Sequence, residues 1–189
     1  EYRRGKQLAS LDLRKCKALQ GAHNHQNACA AYAAVRTLGI GPRSVEKALK
    51  SFTGLAHRSQ LVTELSGVVF INDSKATNVD SAMKALETFA KVRWICGGEQ
   101  KEEDISRLNN VLTNVEKAYV IGTDAAKFSS QISCDFEICN TMDVAVKKAF
   151  NDAKDGETVL LAPAAASFDQ YSSFEERGKA FELEIEKLV

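Results

Sequence analysis

The sequence predicts an α/β fold, a mostly parallel sheet with helices on both of its faces. Apolar runs at residues 68–71, 92–96, 118–121 and 159–162 have the length and composition of buried strands. Stripes of apolar residues at helical spacing lie between them, the alternation that a crossover-connected parallel sheet requires. Before residue 53 the pattern is helical only, so the chain divides into segments 1–53 and 54–189.

Residues 1–52 look like a strand remnant and two helices. Residues 23–38 put Ala28, Tyr32, Val35 and Leu38 on one stripe, and Gly39 follows as a stop signal. Residues 43–52 predict a second helix, with Ser44 as its cap and Val45, Leu49 and Phe52 on one side. Beyond Gly54, the runs 60–65 and 68–71 flank Ser66 and Gly67 and predict a hairpin. Three helices are expected from Ala82, Leu86 and Phe89, from Ile105, Leu108 and Leu112, and from Val146, Ala149 and Ala153. Residues 136–138 form a weaker strand, and a last helix carrying Phe174, Phe181, Ile185 and Leu188 closes the domain. Because the chain starts at Glu1 and runs at once into a segment typical of a domain interior, a fragment of a longer protein is expected.

Composition excludes several classes. With 44% hydrophobic and 26% charged residues among 189, the chain is ordinary globular material. Twenty-five basic residues balance twenty-five acidic ones, so the strong positive field of a nucleic-acid binder is missing and no nucleic-acid partner is expected. No apolar run approaches the roughly 18 residues of a membrane span, and no signal peptide is evident, so no membrane partner is expected. Five scattered cysteines suggest a reduced, cytoplasmic chain, and a monomer is expected. His23, His25 and His57 lack the further ligands of a zinc set, so no metal site is assigned to these residues.

In such a sheet, ligands bind beyond the carboxyl ends of the strands. That rule selects residues 72–78, 97–101, 122–124 and 163–169. They offer Lys75 and Lys101 as charges, Ser74, Thr77 and Ser167 as hydroxyl donors, and glycines that let backbone N–H groups come close, which implies an anionic substrate. Each has an ordinary alternative. Gly97-Gly98 suits a tight turn, Asp73 or Asn78 a helix cap, and a loop lysine a solvated charge. Asn24 and Asn27, three apart at the start of the first helix, suit N-terminal caps or amides facing a nucleobase; Arg58 suits a surface charge or a phosphate clamp.

The strings G-A-H-N-H-Q-N-A, F-T-G-L-A-H-R, G-V-V-F-I-N-D-S-K-A-T-N, G-G-E-Q-K and L-L-A-P-A-A-A-S-F-D-Q-Y-x-x-F-E-x-R-G together resemble, in order and spacing, the Mur ligases. The resemblance runs from Gly21 onward and implies that residues 1–53 are the C-terminal tail of the central ATP-binding domain. Residues 54–189 would be the C-terminal Rossmann-like ligase domain. No D-N-P-R-type string occurs, which favours the member that adds D-glutamate to UDP-N-acetylmuramoyl-L-alanine in peptidoglycan synthesis. Such a ligase forms an acyl phosphate with ATP and Mg2+, whose ligands would lie mainly outside these residues, and the amine of D-glutamate then attacks. By resemblance Asn24 and Asn27 sit near adenine, Arg58 near the ATP phosphates, Asp73 on the ribose and Lys75 on the transferred phosphate. Thr77 and Lys101 would hold one carboxylate of D-glutamate, and Ser167, the backbone at Phe168 and the ring of Phe174 the other. Ala162 and Ala56 depart from the serine and proline common at those positions, and neither is a proposed ligand. No G-x-x-x-x-G-K-[ST] string occurs in the 189 residues, so this chain by itself is expected to be inactive. The alternatives are a folylpolyglutamate synthase-like amide ligase and a non-catalytic nucleotide-binding module.

Overall fold

The computed structural model describes every residue except Arg4 and Leu8. The chain divides into two compact units, Glu1–Gly54 and Leu55–Val189.

In the first unit, β1 (Tyr2–Arg3) and β2 (Lys6–Gln7) pair antiparallel, two short 3₁₀ turns follow, and α1 (Ala22–Thr37) precedes α2 (Pro42–Ser51). α1 stops at Gly39, whose φ of +83° suits a residue without a Cβ. Leu38, expected on the buried stripe, is the C-cap of α1 and is 78% exposed, because the stop turns it away. α2 begins at Pro42, whose missing N–H costs nothing in a first turn. Its N-cap is Gly41, so Ser44, expected as the cap, lies inside the helix and caps nothing. The unit's core is small and centres on Cys16, Leu19 and Ala28.

The second unit is built on a six-stranded sheet of order β3-β4-β8-β5-β6-β7, namely β3 (Gln60–Leu65), β4 (Val68–Asn72), β5 (Val92–Gly97), β6 (Val115–Ile121), β7 (Phe136–Asn140) and β8 (Thr158–Leu161). Only β3 runs antiparallel to its neighbour. Ser66 (φ +51°) and Gly67 (φ +75°) make the two-residue hairpin turn, both central residues being left-handed as the twist of a hairpin favours.

Strands with both faces covered are mostly apolar, and all six residues of β5 are buried, Arg93 among them through its ion pair with Glu157 at 2.7 Å. On one face Trp94 and Cys96 join α3 (Val79–Leu86), α4 (Ala125–Ser129) and a 3₁₀ segment, Ser106–Asn114. On the other, Phe70, Ile95 and Tyr119 pack on α5 (Met142–Asp152) and α6 (Phe174–Glu186).

Two local expectations differ. The stripe Ile105, Leu108 and Leu112 forms a 3₁₀ segment and not an α-helix. Ile105, Leu108 and Val111 are all buried at a spacing of three, the period at which 3₁₀ side chains eclipse. Asn109 ties the segment to the following loop, its Nδ2 donating to Gln131 O at 3.0 Å and its Oδ1 accepting from Ser133 N–H at 2.8 Å. α4 was not anticipated, since five residues carrying Ala125 and Phe128 leave no periodic signal.

Candidate active site

Because β4, β5, β6 and β8 are parallel, the loops that follow them share one edge of the sheet. The backbone sews them together. Asp73 N–H donates to Leu161 O (2.8 Å), Gly97 N–H to Pro163 O (2.8 Å) and Ala164 N–H to Ala76 O (2.9 Å), while Glu99 and Ala166 exchange a pair at 3.0 and 2.9 Å. The glycines permit this approach: a Cβ on Gly98 would lie 2.2 Å from Ala166 O, and one on Gly97 2.3 Å from Ile121 O.

A buried arginine fastens the same edge from α6. Arg177, 1% exposed, donates through Nε to Ser74 Oγ (3.1 Å), through Nη2 to Ser74 O (3.0 Å), and through Nη1 to Ala165 O (3.1 Å) and Ala166 O (3.0 Å). Burial lowers its pKa from 12.5 to about 10. Ser74 Oγ also donates to Phe174 O at 2.7 Å. Ser74 was expected to donate to an anion, but it is fully buried and its hydroxyl is committed to the scaffold.

Lys75 N–H donates to His57 O (3.0 Å), and its ammonium sits 4.1 Å from the centre of the Phe174 ring. His57 is buried with φ +60°, and its Nδ1 is 3.0 Å from Asn72 Nδ2. Gly178 makes room for it, since a Cβ there would lie 2.2 Å from His57 Nδ1. Asn72 Nδ2 also donates to Gly178 O (3.0 Å) and Glu182 Oε1 (2.8 Å), pinning the end of β4 to α6. Arg58 follows His57 and is exposed. Asp73 accepts from Ser59 Oγ at 3.4 Å; burial raises its pKa from 3.8 to about 6, against the opposing pull of Ser59 and Arg58. Asn78 caps α3, accepting from Ser81 N–H at 2.9 Å.

Thr77 is half-buried beside Lys75, its N–H bonded to Lys75 O at 2.8 Å. Lys101 is exposed, with its ammonium 5.6 Å from the centre of the Phe168 ring, which is 65% exposed. Ser167 is 2% exposed, and its carbonyl accepts from Gln170 and Tyr171 N–H. The edge therefore gathers Arg58, Asp73, Lys75, Thr77, Lys101, Ser167, Phe168 and Phe174, with Lys75 against Phe174 and Lys101 against Phe168. Asn24 and Asn27 belong to the first unit. Gly21 is the N-cap of α1, so neither caps it; Asn24 Nδ2 donates to Gln20 O at 2.8 Å, and Asn27 is exposed.

Arg177 and Asn72 escaped notice in the sequence. A signal existed, because Arg177 falls in the apolar stripe between Phe174 and Phe181, where a charge has no business unless it is bonded. Among the described residues no group of three or more His, Cys, Asp or Glu could hold a metal ion, and no helix is long and apolar enough to cross a membrane.

The family model described as Mur ligase, glutamate ligase domain, matches residues 57–165, more than half of the chain. The chain belongs to the Mur ligase family. Mur ligase relatives named UDP-N-acetylmuramoylalanine--D-glutamate ligase include that of Ruegeria pomeroyi, 58% identical over 99% of this chain and 40% of its own length. That of Cereibacter sphaeroides (strain ATCC 17025) is 60% identical over 100% of this chain and 41% of its own. The chain thus spans about 40% of the length of the curated relatives it matches. Among solved structures, the MurF ligase from Thermotoga maritima in complex with ADP superposes with a TM-score of 0.65 at 21% identity, over 89% of this chain and 40% of that one. E. coli FolC in complex with DHPP and ADP gives 0.62 at 24% identity, over 90% and 41%. At these identities the likeness is one of fold, and MurF and FolC share it alike.

Proposed function

We propose that this chain is the D-glutamate-binding portion of a cytoplasmic, monomeric ligase that joins D-glutamate to UDP-N-acetylmuramoyl-L-alanine in peptidoglycan synthesis, using ATP. The convergence of Lys75, Thr77, Lys101, Ser167, Phe168 and Phe174 on one sheet edge carries this reading, together with the names of relatives 58–60% identical. A carboxylate is a poor electrophile, so ATP converts that of the acceptor to an acyl phosphate, which the amine of D-glutamate attacks. Residues 1–53 are the tail of a central ATP-binding domain, with Asn24 and Asn27 near adenine.

The residues of the edge divide the work. Asp73 is ionised above about pH 6 and accepts from the ribose hydroxyls; Arg58 faces the ATP phosphates. Lys75 neutralises charge on the transferred phosphate, its ammonium held ready by the Phe174 ring. Lys101 with Thr77, and Ser167 with the Phe168 backbone, hold the two carboxylates, and Phe174 flanks the second. Magnesium supplies charge neutralisation in such reactions, but the described residues offer no carboxylate cluster for it.

The test uses the full-length protein. Lys101→Ala and Ser167→Ala should each raise KM for D-glutamate about ten- to a hundredfold, the cost of one charge-assisted contact, with far less change for ATP. Equal effects on both substrates, or incorporation of L-glutamate in place of D-glutamate, would refute the proposal.

A further inference from the structure

We propose that the loop after β6, residues 122–124, to which no substrate ligand is assigned, is the strut that fixes the loops bearing Lys101 and Ser167 relative to each other, with Asp169 and Asp124 as its positioning residues. The inference rests on the function proposed above. The two carboxylates reach in opposite directions. Asp169 Oδ2, from the loop bearing Ser167, accepts from Thr123 N–H at 2.9 Å; Asp124 Oδ2, from the strut, accepts from Gln100 N–H at 2.8 Å.

Glu99 and Ala166 already bridge the two outer loops directly. Ser167 and Phe168 are thus clamped between the bridge at Ala166 and the strut contact at Asp169, and Lys101 directly follows the residue that Asp124 holds. At Gly122 the strut also meets the Gly98 backbone directly. A Cβ on Gly122 would lie 2.4 Å from Gly98 Cα and 2.6 Å from Asp169 Oδ2, so no side chain fits between. Gln100, 9% exposed, folds its side chain back onto its own loop, Nε2 donating to Glu102 O at 2.7 Å. A dicarboxylate substrate needs two donors at a set separation. Lys101 is exposed on a long flexible stem, so the separation is set by the backbone beneath it, and a shift of about an ångström is costly.

The experiment compares Asp169→Ala, Asp169→Asn, Asp124→Ala and Asp124→Asn in the full-length protein, with Lys101→Ala and Ser167→Ala as references. Each strut Ala variant should raise KM for D-glutamate about tenfold while KM for ATP stays within about twofold. The Asn variants keep an oxygen that accepts from the same N–H and should recover most of the loss. Amide hydrogen exchange at Thr123 should quicken in Asp169→Ala, and at Gln100 in Asp124→Ala, independently of turnover. If the references raise KM for D-glutamate while the strut variants leave it unchanged, raise both KM values equally, or are not rescued by Asn, the strut is overturned and the proposed function stands. If the references themselves leave KM for D-glutamate unchanged, the functional reading falls and the strut with it.

Discussion

Asp73→Asn should make the second unit more stable at neutral pH, although it removes a group assigned to nucleotide binding. Asp73 is half-buried, with Ser59 Oγ at 3.4 Å and the charge of Arg58 in partial compensation. Raising its pKa from 3.8 to about 6 corresponds to a penalty on the ionised form of about 3 kcal/mol. Water reaching the half-buried carboxylate reduces this to about 1–2 kcal/mol. The sign follows from linkage. Between pH 3.8 and about 6 the folded state binds more protons than the unfolded one, so stability falls as pH rises through that window, and the penalty is complete above it. Asparagine has no charge to desolvate and still offers an oxygen to Ser59. The assay is denaturant unfolding at pH 7.5 and 4.0, followed by the fluorescence of Trp94. This is the sole tryptophan, fully buried in the second unit, with its ring centre 5.9 Å from that of Phe128. The variant should gain at pH 7.5 and match the parent at pH 4.0. A gain of equal size at both values, or a loss at pH 7.5, would show that desolvation of Asp73 does not govern its environment.

Arg177→Ala should cost about 3–5 kcal/mol in the same assay, because it strands the carbonyls of Ser74 and Ala165 in the interior and leaves Ala166 O with the Glu99 N–H alone; a change below about 1 kcal/mol would mean the stranded carbonyls find other donors. Limited proteolysis should begin within residues 1–54, whose core is small, and leave the sheet-bearing unit intact. First cuts between Val92 and Val159 would contradict this.

The strands of the second unit were legible because burial on both faces leaves an apolar run, and the hairpin because Ser66-Gly67 suits left-handed backbone. Elements governed by local competition were not. Periodicity alone does not separate an α-helix from the 3₁₀ segment at residues 106–114, and Ser44 resembles a cap although Pro42, two residues earlier, already starts the helix. At the candidate site, loop position marked the charged residues, since strand ends select them by topology. The scaffold beneath them was hidden. Ser74 and a ligand hydroxyl look alike in sequence, and only the arrival of Arg177, 103 residues later, distinguishes them. Asp169 and Asp124 were equally silent, because each holds a backbone N–H that carries no sequence signature.

The strand order has a consequence for how the second unit is made. β8 is the last strand along the chain, yet it lies in the middle, bonded to β4 on one side and β5 on the other. Without residues 158–161, nothing in the strand order joins the hairpin β3-β4 to the ribbon β5-β6-β7. Each would then end on an inner edge of unpaired N–H and C=O groups, which invites pairing with another chain. Insertion of one four-residue strand seals both edges and brings the loop bearing Ser167 between those bearing Lys75 and Lys101. Completion of the sheet and assembly of the binding edge are therefore one event, and a nascent chain that has yet to add β8 has neither.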